Sequence, residues 1–157
     1  MKQPQLLERG DIVFNKCIIL ASDHSGLELK NKICDYIKLN IKDYEIIDVG
    51  PYYYEKNDDY PDFVKKANIE VIKKKGLGIY CCASGIGVSM VANRDNGIRA
   101  VNACIKDHAL YARLHEDANV ICFGQKYVDL DFVIEALKIF MTTKFDGGRH
   151  LRRINKY

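Results

Sequence analysis

The sequence lacks any long apolar segment. A membrane-spanning helix needs roughly 20 consecutive apolar residues, and no stretch of the 157 residues approaches that length. Hydrophobic residues make up 48% of the chain and charged residues 29%, which is typical of one soluble globular domain. Charged residues also interrupt the first sixteen positions, at Glu8, Arg9 and Asp11, so no signal peptide is expected and a cytosolic location is favoured.

Spacings typical of metal sites are also missing. No Cys-x-x-Cys pair occurs, and the four histidines form no His-Glu-x-x-His motif, so a metal site has little support. The cysteines fall mostly within apolar segments, which predicts reduced thiols rather than a disulfide framework. There are six of them: Cys17, Cys34, Cys81, Cys82, Cys104 and Cys122.

Most of the net charge of +3 lies in one segment. Residues 144–157 contain five lysines and arginines against Asp146 alone, a local charge of +4 that leaves the rest of the chain at −1. A basic arm of this kind suits a phosphate, on a small molecule or on nucleic acid. The alternative is a solvated C-terminal tail.

Five short, nearly continuous apolar runs indicate strands of a parallel sheet that is covered on both faces. These runs are residues 17–21, 44–49, 77–82, 98–103 and 119–123. Apolar residues at helical spacing lie between the runs. The alternation predicts a doubly wound, Rossmann-like α/β/α fold of three layers with strand order 2-1-3-4-5. We expect an N-terminal extension (1–16), an α/β domain (17–143) and a basic, helical C-terminal arm (144–157).

Ligands of such sheets bind beyond the carboxyl ends of the strands, where the winding direction reverses. In this strand order the reversal falls between the first and third strands. The turn after the third strand offers small residues and backbone N–H groups at a helix start, which can hold an anion or a developing negative oxygen. The residues that follow the two strands are Ser22, Asp23, His24, Cys82, Ala83, Ser84, Gly85 and Gly87.

More specific phosphate motifs fail at this turn. A dinucleotide fingerprint would need glycine at Met90, and a Walker A loop would need Gly-Lys-Ser/Thr. A cysteine phosphatase loop would need an arginine six positions after its cysteine. Counting from Cys82 or Cys81, that position holds Val88 or Gly87.

Four side chains are candidates for chemistry, and each has an ordinary alternative. Cys82 at a helix start is suited to act as a thiolate, or it is a small buried residue at a strand end, whereas Cys81 is expected to pack in the core. His115 can move a proton, or it is an ordinary structural histidine. Arg149 and Arg153 share one helix face suited to one phosphate, or they belong to a solvated basic helix.

Five motifs, in order, resemble the type B ribose-5-phosphate isomerases and the related allose- and galactose-6-phosphate isomerase subunits. They are "ASDHSG", "DYPDF", "CCASGIGVSMVANRDNGIRA", "RLHEDANVICFG" and "GGRHLRRI", spread over about Cys17 to Ile154. The resemblance implies isomerisation of an aldose phosphate to a ketose phosphate through a cis-enediolate, with no metal or organic cofactor. It also implies a homodimer or a dimer of dimers with the active site at the subunit interface.

The resemblance assigns roles to residues. Cys82 would be the C1/C2 base, since a branch that uses glutamate carries it where this chain has Val88. Ser84 and the N–H groups around Gly85 and Gly87 would hold the enediolate oxygens. His115 would open the furanose ring. Binding of the sugar hydroxyls and the phosphate would fall to Asp23, Tyr60, His24, Arg149 and Arg153.

Two positions depart from the family pattern, and the milder departure is Ala83, where glycine is usual. Glu116 follows His115 where the family commonly has asparagine, and a carboxylate there would repel an enediolate unless it is protonated or turned away. The leading hypothesis is interconversion of ribose 5-phosphate and ribulose 5-phosphate. The alternatives are an allose- or galactose-6-phosphate isomerase and a non-catalytic sugar-phosphate or nucleic-acid binding protein. For the leading hypothesis, neither nucleic acid nor membrane is expected as a partner.

Overall fold

Five parallel strands alternate with helices along residues 14–157, the part of the chain that the structure, a computed structural model, describes. Residues 1–13 of the predicted extension lie outside it. The strands are β1 (Cys17–Ser22), β2 (Glu45–Asp48), β3 (Leu77–Cys82), β4 (Ala100–Asn102) and β5 (Val120–Gly124). The helices are α1 (Leu27–Asn40), α2 (Tyr60–Lys74), α3 (Ile86–Ala92), α4 (Lys106–Glu116), α5 (Leu130–Thr142) and α6 (Arg149–Ile154). No helix within residues 14–157 has the length and apolar character needed to cross a membrane.

The predicted doubly wound sheet is confirmed, but the order of its last two strands was wrong. The observed order is β2-β1-β3-β5-β4, so β5 lies inside the sheet and β4 forms the edge. All five residues of β5 are buried, whereas the three residues of β4 are only half-buried. The continuously apolar β5 therefore lies inside the sheet, where both of its faces are covered. The short β4, which follows Arg99 and ends at Asn102, lies at the edge.

Alternate residues of each strand enter two different apolar layers. One layer packs against α1, α4 and α5, and it includes Ile79 and Cys81 of β3. The other packs against α2 and α3, and it includes Tyr80 and Cys82. The adjacent cysteines therefore face opposite sides of the sheet, and Cys81 packs in the core as predicted.

A buried ion pair joins α1 to the carboxyl end of β2. The side chain of Lys30 is fully buried, and its Nζ donates hydrogen bonds of 2.7 and 2.6 Å to the two carboxylate oxygens of Asp48. A third hydrogen bond of 2.9 Å goes to the carbonyl oxygen of Pro51. The ammonium group is thus fully paired, and the loop that follows β2 is held at the carboxyl edge of the sheet.

The basic arm packs against the second half of α4. The backbone N–H of Asp146 donates a 3.0 Å hydrogen bond to the carbonyl oxygen of Leu114, and α6 follows it directly. A helix in the arm was predicted and is present. The division of the chain at residues 143 and 144 stays a prediction.

Candidate active site

The turn after β1 lies directly against the end of β3. A Cβ atom on Gly26 would come within 2.4 Å of the backbone carbon of Cys81 and 2.7 Å of the backbone nitrogen of Cys82. Only glycine fits at this contact. The close approach places the turn that carries Asp23 and His24 beside Cys82, as the sequence predicted.

Cys82 is the last residue of β3 and is 4% exposed. Its sulfur accepts a 3.1 Å hydrogen bond from the backbone N–H of Gly85. Gly85 has a φ of +77°, which bends the chain so that this N–H points back at the sulfur. The turn therefore places a backbone N–H donor directly against the thiol of Cys82.

Two side chains lie against the glycine turn. A Cβ on Gly87 would lie 2.6 Å from Cζ of the Tyr60 ring, and a Cβ on Gly85 would lie 2.2 Å from Oδ1 of Asn102. The Asn102 amide donates a 3.2 Å hydrogen bond to the carbonyl oxygen of Ser84, while its Oδ1 is buried without a hydrogen-bond partner. Tyr60 therefore lies against the turn, and its contact with a sugar hydroxyl stays a prediction. Asn102 was missed.

Asp23 stabilises the turn after β1. Its Oδ1 accepts hydrogen bonds from the Ser25 backbone N–H at 3.0 Å, from the Ser25 hydroxyl at 2.6 Å and from the Gly26 backbone N–H at 3.0 Å. The side chain is 7% exposed. One carboxylate oxygen is therefore committed to the fold, and the predicted contact with a sugar hydroxyl would fall to the other.

His24 is paired with Asp58, which sequence reasoning also missed. Nδ1 of His24 lies 2.6 Å from Oδ1 of Asp58, and the backbone N–H of His24 donates a 2.9 Å hydrogen bond to the same oxygen. The hydrogen bond to Asp58 raises the pKa of the His24 imidazole, and the nearby charge of Asp23 adds to this, while burial opposes it. A raised pKa keeps the imidazole positively charged to higher pH, as a phosphate anchor requires.

The remaining predicted residues lie at the opposite edge of the sheet. β5 starts at Val120, which pairs with Gly78, four residues before Cys82. At about 3.3 Å per residue, the start of β5 is roughly 13 Å from the carboxyl edge. His115 is in the last turn of α4, just before β5, so it lies near the amino edge. Within a single chain, His115 therefore lies too far from Cys82 for both to contact the same reacting carbons.

His115 stacks on His150 of the arm. The ring centroids are 4.1 Å apart and the planes differ by 3°, while Tyr111 lies at a tilt 5.0 Å from His115. His150 is buried, and burial lowers the pKa of its imidazole, with further lowering from the charges of His115, Arg149 and Arg153. The stack fixes the orientation of the His115 ring.

A pair of exposed arginines and a cavity lie near this stack. Arg149 and Arg153 of α6 form no ion pair within residues 14–157, so both guanidinium groups are free to bind an anion. A cavity of about 400 Å³ is lined by His115, Glu116 and Tyr157, among other residues. The predicted site residues therefore lie in two groups, which we call half-sites. The thiol half-site at the carboxyl edge contains Asp23, His24, Tyr60, Cys82 and residues 84–87, and the histidine–arginine half-site near the amino edge contains His115, Arg149 and Arg153.

Among residues 14–157, two groups of side chains have the composition of metal ligand sets, Asp23 with His24 and Asp58, and His115 with Asp146 and His150. In the first, Nδ1 of His24 and Oδ1 of Asp58 are bonded to each other. In the second, the imidazole planes are parallel rather than converging on one point, and two arginines lie near them. We assign a metal to neither group.

The fold and these half-sites define a class of protein. It is a doubly wound α/β protein whose switch point carries a cysteine and a glycine turn suited to acid–base chemistry on a small anionic ligand, in place of a nucleotide motif. Comparison with known proteins gives the family. Residues 18–157 match the family described as Ribose/Galactose Isomerase, and the chain belongs to that family. It is an enzyme, an intramolecular oxidoreductase of the aldose–ketose isomerase class.

Individual relatives cover nearly the whole chain. The "Probable ribose-5-phosphate isomerase B" of Mycoplasma genitalium is 41% identical over 141 residues, which is 88% of this chain and 91% of the relative. The solved structure of ribose 5-phosphate isomerase B from Anaplasma phagocytophilum has a TM-score of 0.85 at 40% identity, covering 94% of this chain and 99% of that one. The Mycoplasma genitalium enzyme with bound ribulose-5-phosphate has a TM-score of 0.83 at 40% identity, covering 89% and 92%. The resemblance inferred from the five motifs is confirmed.

Proposed function

We propose that the protein interconverts ribose 5-phosphate and ribulose 5-phosphate. The observation that carries this proposal is the solved Mycoplasma genitalium relative, which is 40% identical and is described with ribulose-5-phosphate bound. The arrangement at the carboxyl edge is compatible with it, because a buried thiol lies beside backbone N–H groups at a switch point.

In this proposal Cys82 moves one proton between neighbouring carbons. Its thiolate takes the C2 proton of the open-chain aldose, and the electron pair of that C–H bond forms the C1–C2 double bond of the enediolate. Returning the proton to C1, with proton exchange between the two oxygens, gives the ketose. The turn that contains Ser84, Gly85 and Gly87 would hold the oxygens, because its N–H groups offset the negative charge that develops there.

The other half of the site would come from a second copy of the chain. His115 would open the furanose ring, while Arg149 and Arg153 would bind the phosphate together with His24 of the first copy. Exposed apolar residues beside the thiol half-site support this pairing, since Ile86 and Met90 of α3 are 55% and 67% exposed. A twofold axis would bring unlike half-sites together twice, giving two complete sites per homodimer.

The alternative substrate is a six-carbon sugar phosphate, allose 6-phosphate or galactose 6-phosphate. The family description includes galactose as well as ribose, and an extra carbon changes the depth of a pocket rather than the acid–base groups. The decisive experiment compares kcat/KM of the purified protein on the five- and six-carbon aldose phosphates. We expect the highest value for ribose 5-phosphate. An equal or higher value for a hexose would change the substrate, and no turnover of any of them would refute the proposal.

A further inference from the structure

Asp58 contacts the imidazole that the proposed function assigns to the phosphate. It lies in the loop before α2, 34 positions after His24, and its Oδ1 bonds both the backbone N–H and Nδ1 of that histidine. A carboxylate can only accept hydrogen bonds, so Nδ1 of His24 carries a proton. The two bonds, of 2.9 and 2.6 Å, fix both the backbone and the ring of His24.

The burial of the two side chains separates their roles. The side chain of Asp58 is 9% exposed, and its Oδ2 is buried without a hydrogen-bond partner. Asp58 is therefore much less accessible to a ligand than His24. The side chain of His24 is 26% exposed. Because Nδ1 is bonded to Asp58, the ring nitrogen available to an incoming phosphate is Nε2.

We propose that Asp58 is a positioning residue, which holds His24 as an imidazolium with its Nε2–H directed at the phosphate of the substrate. The inference rests on the proposed function, in which His24 binds that phosphate. It assigns a task to a carboxylate whose side chain is only 9% exposed. It also explains how histidine, whose ordinary pKa lies near neutral pH, can carry a positive charge where a lysine or arginine would otherwise be needed.

The charges around His24 agree with this role. Asp58 faces the ring from the loop before α2 and Asp23 from the turn after β1, and both favour the charged imidazole. The edge contact with the Tyr54 ring, at 5.6 Å between centroids, carries no formal charge. In the proposed dimer Arg149 and Arg153 of a second copy would oppose the charge until a phosphate dianion lies between them.

Inorganic phosphate tests the proposal without turnover. The Asp58→Asn variant keeps an oxygen that accepts both hydrogen bonds but removes the negative charge. Asp62→Asn makes the same change at an exposed residue of α2 and serves as the matched control. Binding of phosphate and the protonation of His24, followed by NMR, are measured from about pH 5.5 to 8.5.

We expect Asp58→Asn to bind phosphate about tenfold more weakly than the wild type near pH 7.5, and to show His24 losing its proton at lower pH. Near pH 5.5 the ratio of the two affinities should return towards one, because both imidazoles are then charged. Asp62→Asn should match the wild type throughout. A ratio that stays constant with pH indicates a merely structural role and overturns the proposal.

Titration of His24 in the wild-type protein is a second test that needs no variant. A pKa for His24 at or below the ordinary imidazole value of 6.5 would overturn the inference. Neither measurement depends on isomerisation. If only the proposed function is wrong, the protein shows no turnover, but Asp58→Asn still makes His24 lose its proton at lower pH. The failure of the proposed function and the failure of this inference are therefore distinguishable.

Discussion

The hydroxyl of Tyr157 donates a 2.6 Å hydrogen bond to Oε2 of Glu116. This contact joins the last residue of the chain to the residue that follows His115. It addresses the departure from the family pattern at Glu116, because the bond holds that carboxylate against Tyr157. Desolvation and the hydrogen bond to Glu116 raise the pKa of Tyr157 to about 12, so its hydroxyl remains a donor at neutral pH.

Removing this hydroxyl should impair catalysis. In Tyr157→Phe the Glu116 carboxylate is no longer held and can approach the enediolate of the neighbouring half-site. We expect kcat/KM to fall about fivefold, the effect of a partly screened like charge. The double variant with Glu116→Asn should recover, because no carboxylate remains.

Tyr127→Phe is the matched control, since Tyr127 is also an exposed tyrosine, 69% accessible to solvent. It should leave the kinetics unchanged. If Tyr157→Phe has wild-type kcat/KM, the bond to Glu116 has no part in catalysis.

Replacing Cys82 should remove most of the activity. Cys82→Ala lacks a base, and the hydroxyl in Cys82→Ser is a far weaker one. We therefore expect kcat to fall at least about a hundredfold in both variants, measured as direct ketose formation. Cys104→Ser provides the control, because Cys104 is exposed and lies outside both half-sites. Wild-type turnover in both Cys82 variants would show that another group moves the proton.

The residues of the thiol half-site were predictable because their signal is local. Cys82 ends an apolar run and glycines follow at once, so a strand, a tight turn and a helix start can be read from about ten consecutive positions. Asp58 and Asn102 were missed for the opposite reason. Their partners are 34 and 18 positions away, and those contacts exist only once the loops have packed at the sheet edge.

The strand order shows a similar limit. Residues 98–103 and 119–123 were both recognised as strands, but which of them pairs with β3 depends on competition between them for the covered position. The sequence contains a relevant signal, since Arg99 and Asn102 make the earlier run less suited to burial. Periodicity alone does not rank two strands. The separation of His115 from Cys82 likewise depends on the direction of α4, which no motif records.

Acid should loosen the arm through His150. The pKa of this histidine is lowered in the folded protein, chiefly by burial, so the neutral form is favoured by folding. Stability from this source is present above the ordinary imidazole pKa of 6.5 and is lost as the pH falls through the lower, folded value. Hydrogen-exchange protection of Arg149–Ile154, corrected for intrinsic rates, should therefore decrease in that range.

His150→Phe keeps an aromatic ring against His115 but removes the titration. Its protection in α6 should depend much less on pH than that of the wild type. An equal loss of protection in both proteins would mean that another group controls the arm.

Mixing two inactive variants should restore activity if each site draws on two chains. Cys82→Ala damages only the thiol half-site, and His115→Ala damages only the histidine–arginine half-site. In a mixed dimer, one of the two sites receives both defects and the other receives neither. Random pairing makes about half of the dimers mixed, so coexpression should yield about a quarter of wild-type activity.

The control mixes Cys82→Ala with Cys82→Ser, a combination in which every site lacks its base, so activity should remain at the level of the single variants. Two different affinity tags allow mixed assemblies to be isolated, and their kcat per chain should approach half that of the wild type, as expected for about one intact site in two. If Cys82 and His115 acted within one chain, every site in the mixture would carry a defect and no activity would return. That result would contradict the two-chain site. Cys82 and His115 of one chain would then have to act on the same substrate, although they lie at opposite edges of the sheet.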